Sequence, residues 1–199
     1  MENNVSLLEM LDARERRAQR QQQLQAQYRT TLVCFTMNIA GPVKISPLIR
    51  RGFARGRELL ERQFLRCRLQ PLHVELVREK TGCEAFYLVD ADPLEVKKLT
   101  TLVEDASPLG RLFDMDVLCP DGRKVDREEL HLEGRRCLIC GGPAKACSSR
   151  RIHTVAELQE KTTRILEDTF NELDIHTAAQ QAVRALLYEV TTTPKPGLV

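Results

Sequence analysis

The chain has 199 residues, 42% of them hydrophobic and 29% charged, with a formal net charge of +2. That balance belongs to a folded globular chain rather than a disordered one, and no apolar run is long enough to span a bilayer. The N-terminus, MENNVSLLEMLDARERR, lacks the apolar centre of a signal peptide, so the protein is expected in the cytoplasm, where its seven cysteines serve metal binding, catalysis or packing better than disulfides.

Residues 5–28 read as one helix, apolar at Leu7, Leu8 and Leu11, with an Arg- and Gln-rich second half that is either exposed or laid over another element. LVCFTMNI (32–39) reads as a strand ended by Ala40-Gly41-Pro42. A helix is predicted from Pro47 to about Leu65. LHVELVRE (72–79) alternates as a strand does, and Thr81-Gly82 turns the chain into EAFYLVDA (84–91). Asp92 caps a helix that begins at Pro93 and runs to about Asp105. Another strand follows from about Arg111 to Leu118, ended by Pro120-Asp121-Gly122. A loop rich in Cys, Gly and Ser covers 137–153, then a helix from Thr154 to about Phe170, a second helical stretch, and the tail TTTPKPGLV.

The order strand, helix, strand, strand, helix, strand is the split βαβ pattern. The expected fold class is therefore α+β, a mostly antiparallel sheet in βαββαβ order with helices on one face and flanking N- and C-terminal helices.

Within GRLFDMDV (110–117), strand alternation points Asp114 and Asp116 the same way while Phe113, Met115 and Val117 point the other. Neighbouring carboxylates repel unless a cation lies between them. Magnesium suits the pair, since it takes oxygen ligands and commonly uses one or two carboxylates plus substrate phosphates. Such a pair supports phosphoryl or nucleotidyl transfer, with Gly110 admitting and Arg111 clamping a phosphate beside it. The competing reading is a solvent-facing strand with ordinary surface acids.

RRCLICGGPAKACSSRRIH places Cys137, Cys140, Cys147 and His153 at C-x2-C-x6-C-x5-H spacing. Three thiolates and an imidazole suit a closed tetrahedral zinc site, structural because no coordination position is left open. The same spacing also serves a redox dithiol, or small buried cysteines without metal. Cys34, Cys67, Cys83 and Cys119 lie in apolar elements and are expected in the core, and His73 and His131 stand alone without a role. Seven arginines between Arg50 and Arg68 form either a solvated helix face or a surface for a polyphosphate or an acidic partner.

Taken together, FTMNIAGPVK (35–44), GRLFDMDV (110–117) and RRCLICGGPAKAC (135–147) resemble the apo-citrate lyase phosphoribosyl-dephospho-CoA transferase family, from the N-terminal helix to about Phe170. The resemblance implies transfer from 2'-(5''-triphosphoribosyl)-3'-dephospho-CoA to a serine of the apo citrate lyase acyl carrier protein, with loss of pyrophosphate. It assigns Asp114 and Asp116 to magnesium, Arg111 to a donor phosphate, and Asn38, Gly41 and Lys44 to the donor's phosphate or ribose. The nucleophile belongs to the carrier, and neither nucleic acid nor membrane is called for. The Gly-Gly or Gly-Ser turn that general nucleotidyltransferases carry about ten residues before their acidic pair is missing, so the chemistry is carried over and the nucleotidyltransferase fold is not.

AVRALLYEVTTTPKPGLV (182–199) resembles the opening of triphosphoribosyl-dephospho-CoA synthase, an activity that occurs fused to the transferase. The expected organisation is a transferase domain over 1–174, with the candidate zinc loop at 135–153, and a C-terminal helix and tail over 175–199 that is either the start of a truncated second domain or a last helix ending in a Pro-rich tail. Three other readings share these residues: a magnesium nucleotidyltransferase acting on a small molecule, a zinc-containing nucleic-acid-binding module, and a non-catalytic citrate lyase assembly factor. The absence of Trp and the presence of only three Tyr weigh against the nucleic-acid module.

Overall fold

The computed structural model describes residues 4–192. Helix α1 (Leu7–Tyr28) starts with a capping box, in which the Ser6 side chain accepts from the Glu9 amide and the Glu9 carboxylate accepts from the Ser6 amide. It ends where Arg29 turns left-handed at φ 51°. Then come β1 (Thr31–Met37), α2 (Pro47–Arg66), β2 (Pro71–Glu79), β3 (Gly82–Val89), α3 (Pro93–Asp105), β4 (Phe113–Leu118), the short α4 (Ala144–Ser149) and α5 (Val155–Thr192). Both internal helices start where a side-chain cap precedes a proline, Ser46 before Pro47 and Asp92 before Pro93.

The four strands form one antiparallel sheet in the order β2-β3-β1-β4. Each half is a strand–helix–strand unit with a strand of the other half inserted between, which is the split βαβ arrangement. The α+β expectation and the alternating strand order hold.

Period-two alternation divides the side chains between two cores. Val33, Phe35, Ala85, Tyr87, Phe113, Met115 and Val117 face α2, α3 and α5. Phe35 stacks on Phe53 of α2 with centroids 4.7 Å apart and meets Phe113 edge-on at 5.3 Å. Gly56 lets the helix come this close, since a Cβ there would lie 2.5 Å from the Phe35 ring. Each of these buried aromatics contributes about 2 kcal/mol or more through removal from water.

The opposite face buries Leu32, Cys34, Phe86 and Leu88 under Leu24 of α1. Helices therefore cover both faces rather than one. The Arg-rich half of α1 is a cover, held by Arg20–Glu75 at 2.5 Å and Arg17–Glu84 at 2.8 Å. Residue spacing alone could not reveal those partners, because both acids lie more than fifty positions away in sequence.

Four boundaries differ from the sequence expectation. β1 ends at Met37, where the Asn38 amide turns to donate to the Leu112 carbonyl. Arg111 lies in a 3-10 turn (Leu109–Leu112) and not on β4, which starts at Phe113. The two predicted C-terminal helices are one continuous helix, α5, because nothing between Phe170 and Ile175 breaks it. The loop at 137–153 contains α4. Cys34, Cys83 and Cys119 are buried as expected, but Cys67 is exposed, since it caps the solvent end of α2. Residues 193–199 of the expected tail lie outside the described residues. No described helix is long and apolar enough to cross a membrane.

Candidate functional site

β4 is an edge strand, and its outer edge is occupied by three side chains and the backbone of the hairpin that follows it. The Met115 amide donates to the Glu104 carboxylate at 2.8 Å, and the Met115 carbonyl accepts from Lys97 Nζ at 3.3 Å. The Phe113 carbonyl accepts from the Arg135 guanidinium, and the Val117 carbonyl accepts from the Val125 amide at 2.8 Å. Sheet growth is blocked, and a polar wall is built beside the strand.

Asp114 and Asp116 stand on the α1 side of this strand, opposite Thr36 and Cys34 of β1. They line a cavity of about 880 Å³ together with Lys97, Lys124, Arg127, Arg135 and Lys145. Burial raises the pKa of Asp114 above its ordinary value, the charge of Asp116 raises it further, and Arg135 opposes the rise. Lys124 Nζ lies 2.6 Å from Asp116, and Arg135 lies 3.5 Å from Asp114 and 3.3 Å from Glu104. Burial alone would lower the Lys124 pKa, but the hydrogen bond to Asp116 and the charges around it raise it overall. Burial keeps the Lys97 ammonium below its ordinary pKa, against the pull of Glu104 and Asp116. Cys34, beside Asp116, has its thiol pushed up to about 12 by burial.

Asp114 also borders a second hollow of about 150 Å³, between α1 and the end of β1. Arg14, Arg17, Asn38 and Lys44 surround it, so Asn38, Lys44 and Asp114 of the sequence reading do converge. Lys44 donates to the Ile39 carbonyl at 2.5 Å, and its pKa is lowered by burial and by Arg14.

Three other residues singled out in the sequence stand elsewhere. Gly41, at φ 82°, turns the chain under Gln159 of α5. Gly110 packs on the backbone of α3, where an added Cβ would lie 2.5 Å from the Val103 carbonyl oxygen. Arg111 donates to the Arg136 carbonyl and lines a third hollow with Asn38 and Cys137. None of the arginines between Arg50 and Arg68 borders the aspartate cavity. Arg55, Arg57 and Arg62 pair with Glu58 or Glu61, Arg51 pairs with Asp174, and α2 packs on the opposite face of the sheet.

The cavity's cations thus come mainly from residues the sequence reading passed over. One signal was visible: Arg135 and Arg136 open the cysteine motif directly. Lys124 became visible only with the hairpin after β4, in which Leu118 and Lys124 face each other across the Pro120–Gly122 turn.

Beside the cavity, the ligand atoms of Cys137, Cys140, Cys147 and His153 all lie within 4.8 Å of one another. The cluster could hold a metal ion such as zinc.

Residues 5–169 match the family model described as apo-citrate lyase phosphoribosyl-dephospho-CoA transferase, CitX. The chain is 34% identical over 198 residues to Protein CitXG of Haemophilus influenzae, covering 99% of this chain and 42% of that protein. It is 31% identical over 211 residues to Protein CitXG of Leuconostoc mesenteroides, covering 98% of this chain and 43% of that protein. It therefore spans about two fifths of the length of the CitXG relatives. With the apo-citrate lyase phosphoribosyl-dephospho-CoA transferase of Citrobacter koseri it shares 33% identity over 164 residues, 82% of this chain and 90% of that protein. With a family match over residues 5–169 and 33% identity across nine tenths of the Citrobacter koseri protein, the chain belongs to the apo-citrate lyase phosphoribosyl-dephospho-CoA transferase family.

Proposed function

We propose that the chain transfers the phosphoribosyl-dephospho-CoA group from 2'-(5''-triphosphoribosyl)-3'-dephospho-CoA to a serine of the apo citrate lyase acyl carrier protein. The serine oxygen bonds to the phosphorus nearest the ribose, the hydroxyl proton is lost, and pyrophosphate departs. The observation that carries the reading is the pair Asp114 and Asp116, side by side on an edge strand and open to a cation-lined cavity.

The donor set fits magnesium. Asp114 and Asp116 are hard oxygen ligands on one face, both partly exposed, and Asp114 is destabilised as an anion by its neighbour. When bound there, the ion would neutralise charge on the reacting phosphate. The rest falls to the chain's own side chains. Lys124 and Lys145 face the cavity as cations for a polyphosphate, and Arg135 offers a planar fork beside Asp114. Glu104 holds Arg135 and the Met115 amide in place. Asn38 and Lys44 border Asp114 from the second hollow, where they could hold the donor's ribose or a further phosphate. Gly41 and Gly110 would act through the backbone shape they permit, and Arg111 by bracing the Arg136 carbonyl. We place the reaction in the cytoplasm, where reduced thiols persist.

We further propose that residues 175–199 are the entry to the second unit of the CitXG proteins, with 1–174 as the transferase domain. Matches to CitXG run over 98–99% of this chain, against 82% for the Citrobacter koseri protein, which supports this division.

The test is the intact mass of apo citrate lyase acyl carrier protein after incubation with this chain, magnesium and the donor, with Asp114→Asn in parallel. A carrier made heavier by the phosphoribosyl-dephospho-CoA group with the parent alone supports the reading. An unmodified carrier with well-folded parent protein overturns it.

A further inference from the structure

Residues 131–154 pose a stability problem. Among the described residues, this stretch contributes one buried side chain, Cys147, and one partly buried hydrophobic packed on the main core, Leu138. A segment with so little apolar burial cannot repay the entropy of ordering its backbone. Yet it carries Arg135, whose guanidinium has three defined partners on the core: the Phe113 carbonyl, Glu104 and Asp114. Something other than hydrophobic burial has to fix its shape.

We infer that Cys137, Cys140, Cys147 and His153 bind one structural zinc ion, and that this ion holds the Arg135-bearing loop against the edge of β4. Two independent observations point to a ligand. The first is the geometry of the sulfurs. Cys140 Sγ and Cys147 Sγ are 3.5 Å apart, too far for a disulfide, which needs about 2.05 Å. Tetrahedral zinc with Zn–S bonds of about 2.3 Å separates its sulfurs by roughly 3.8 Å, a spacing this cluster already approaches. The second is the histidine. His153 buries its Nε2 with no hydrogen-bond partner among the described residues, a cost that a bond to a metal removes.

The backbone is shaped for the same end. Cys137 and Cys140 flank a tight turn closed by the Gly141 amide donating to the Cys137 carbonyl at 3.1 Å, and Gly141 takes φ 73° as the turn requires. The Ile139 amide donates to Cys137 Sγ at 3.5 Å, a contact that stabilises a thiolate. The Cys137 amide donates to the Gly142 carbonyl at 2.6 Å and the Ala144 amide to the Arg135 carbonyl at 2.9 Å. These bonds tie the turn directly to Arg135. Cys147 comes from α4, and His153 from the chain just before α5. All four positions are protein ligands, so no site is left for substrate and the ion is structural. This inference does not rest on the transferase reading.

The experiment uses the full chain purified under reducing conditions. Metal content by plasma mass spectrometry and by colorimetric release with a thiol-blocking mercurial should give one zinc per chain. Replacement by cobalt should produce the intense visible d–d bands and sulfur-to-cobalt charge-transfer absorption of a tetrahedral thiolate site. Cys140→Ser should lose most of the zinc while keeping the far-ultraviolet circular dichroism of the α+β core. Stripping the metal should open tryptic cleavage within 131–154 ahead of the core. Well-folded, reduced parent protein that takes up no zinc and gives no thiolate bands with cobalt would overturn the site. A zinc-bound chain whose tryptic pattern is unchanged on stripping would overturn the loop-holding role.

Discussion

Lys124 Nζ and Asp116 Oδ1 lie 2.6 Å apart, joined across the hairpin that follows β4. Both side chains are partly exposed, so the pair contributes only about 0–1 kcal/mol to folding. Its importance lies in where it places an ammonium, beside two carboxylates at the mouth of the cavity. Under the proposed transfer, Lys124→Met should therefore raise the KM for the triphosphoribosyl donor about tenfold or more, the loss of one charge-assisted hydrogen bond. The thermal midpoint should hardly move. A large fall in midpoint with unchanged KM would show the pair to be structural.

Asp114 gives a pH signature. In the metal-free chain its pKa is raised first by burial and then by Asp116, so its carboxyl should titrate above an ordinary aspartate when followed by carbon-13 NMR without magnesium. Asp116→Glu should keep this titration high, while Asp116→Asn removes one source of repulsion and should move it to lower pH. The sign for stability runs the other way from a salt-bridged acid. A carboxyl whose folded pKa exceeds its unfolded one penalises folding above the folded pKa, and the penalty vanishes as pH falls through it. Asp114→Asn should thus raise the thermal midpoint at neutral pH and lose that advantage in acid. A midpoint lowered at neutral pH would contradict this.

Glu104 anchors the wall of the cavity. It is buried, accepts from the Met115 amide, and pairs with Arg127 at 2.8 Å and Arg135 at 3.3 Å. Removing it leaves the Met115 amide unpaired and takes one partner from the partly buried Arg127 and Arg135 guanidiniums, for which about 1–3 kcal/mol is the expected cost. Glu104→Ala should show that loss in urea unfolding, with Glu104→Gln losing less because it still accepts from the amide. A loss under about 1 kcal/mol would mean that Arg127 finds enough support in Asp105 alone.

Gly110 separates packing from donor binding. Its missing Cβ would strike the Val103 and Glu104 carbonyls at 2.5 and 2.6 Å, and helix backbone cannot step aside as a side chain can. Gly110→Ala should destabilise the protein by about 1–3 kcal/mol through overpacking. At temperatures where the variant stays folded, its donor KM should stay within about threefold of the parent, well short of the tenfold effect of losing a charged contact. A stable variant with a much higher KM would place the glycine against the donor instead.

The elements themselves were legible in the chain. Ser46-Pro47 and Asp92-Pro93 mark helix starts by capping chemistry that acts over three residues, and the alternation of FDMDV puts both aspartates on one face. The CxxCGG turn announces itself for the same reason, since its geometry is decided within the turn. What tertiary structure alone decided is everything that depends on distance along the chain. Arg17 and Arg20 of α1 find Glu84 and Glu75, Arg135 finds Asp114 and Glu104, and the arginines of α2 fall on the face away from the aspartates. Local sequence sets dihedral preferences and periodicity. Which charges meet across a sheet is set by the burial of its two apolar faces, and that is a property of the whole chain.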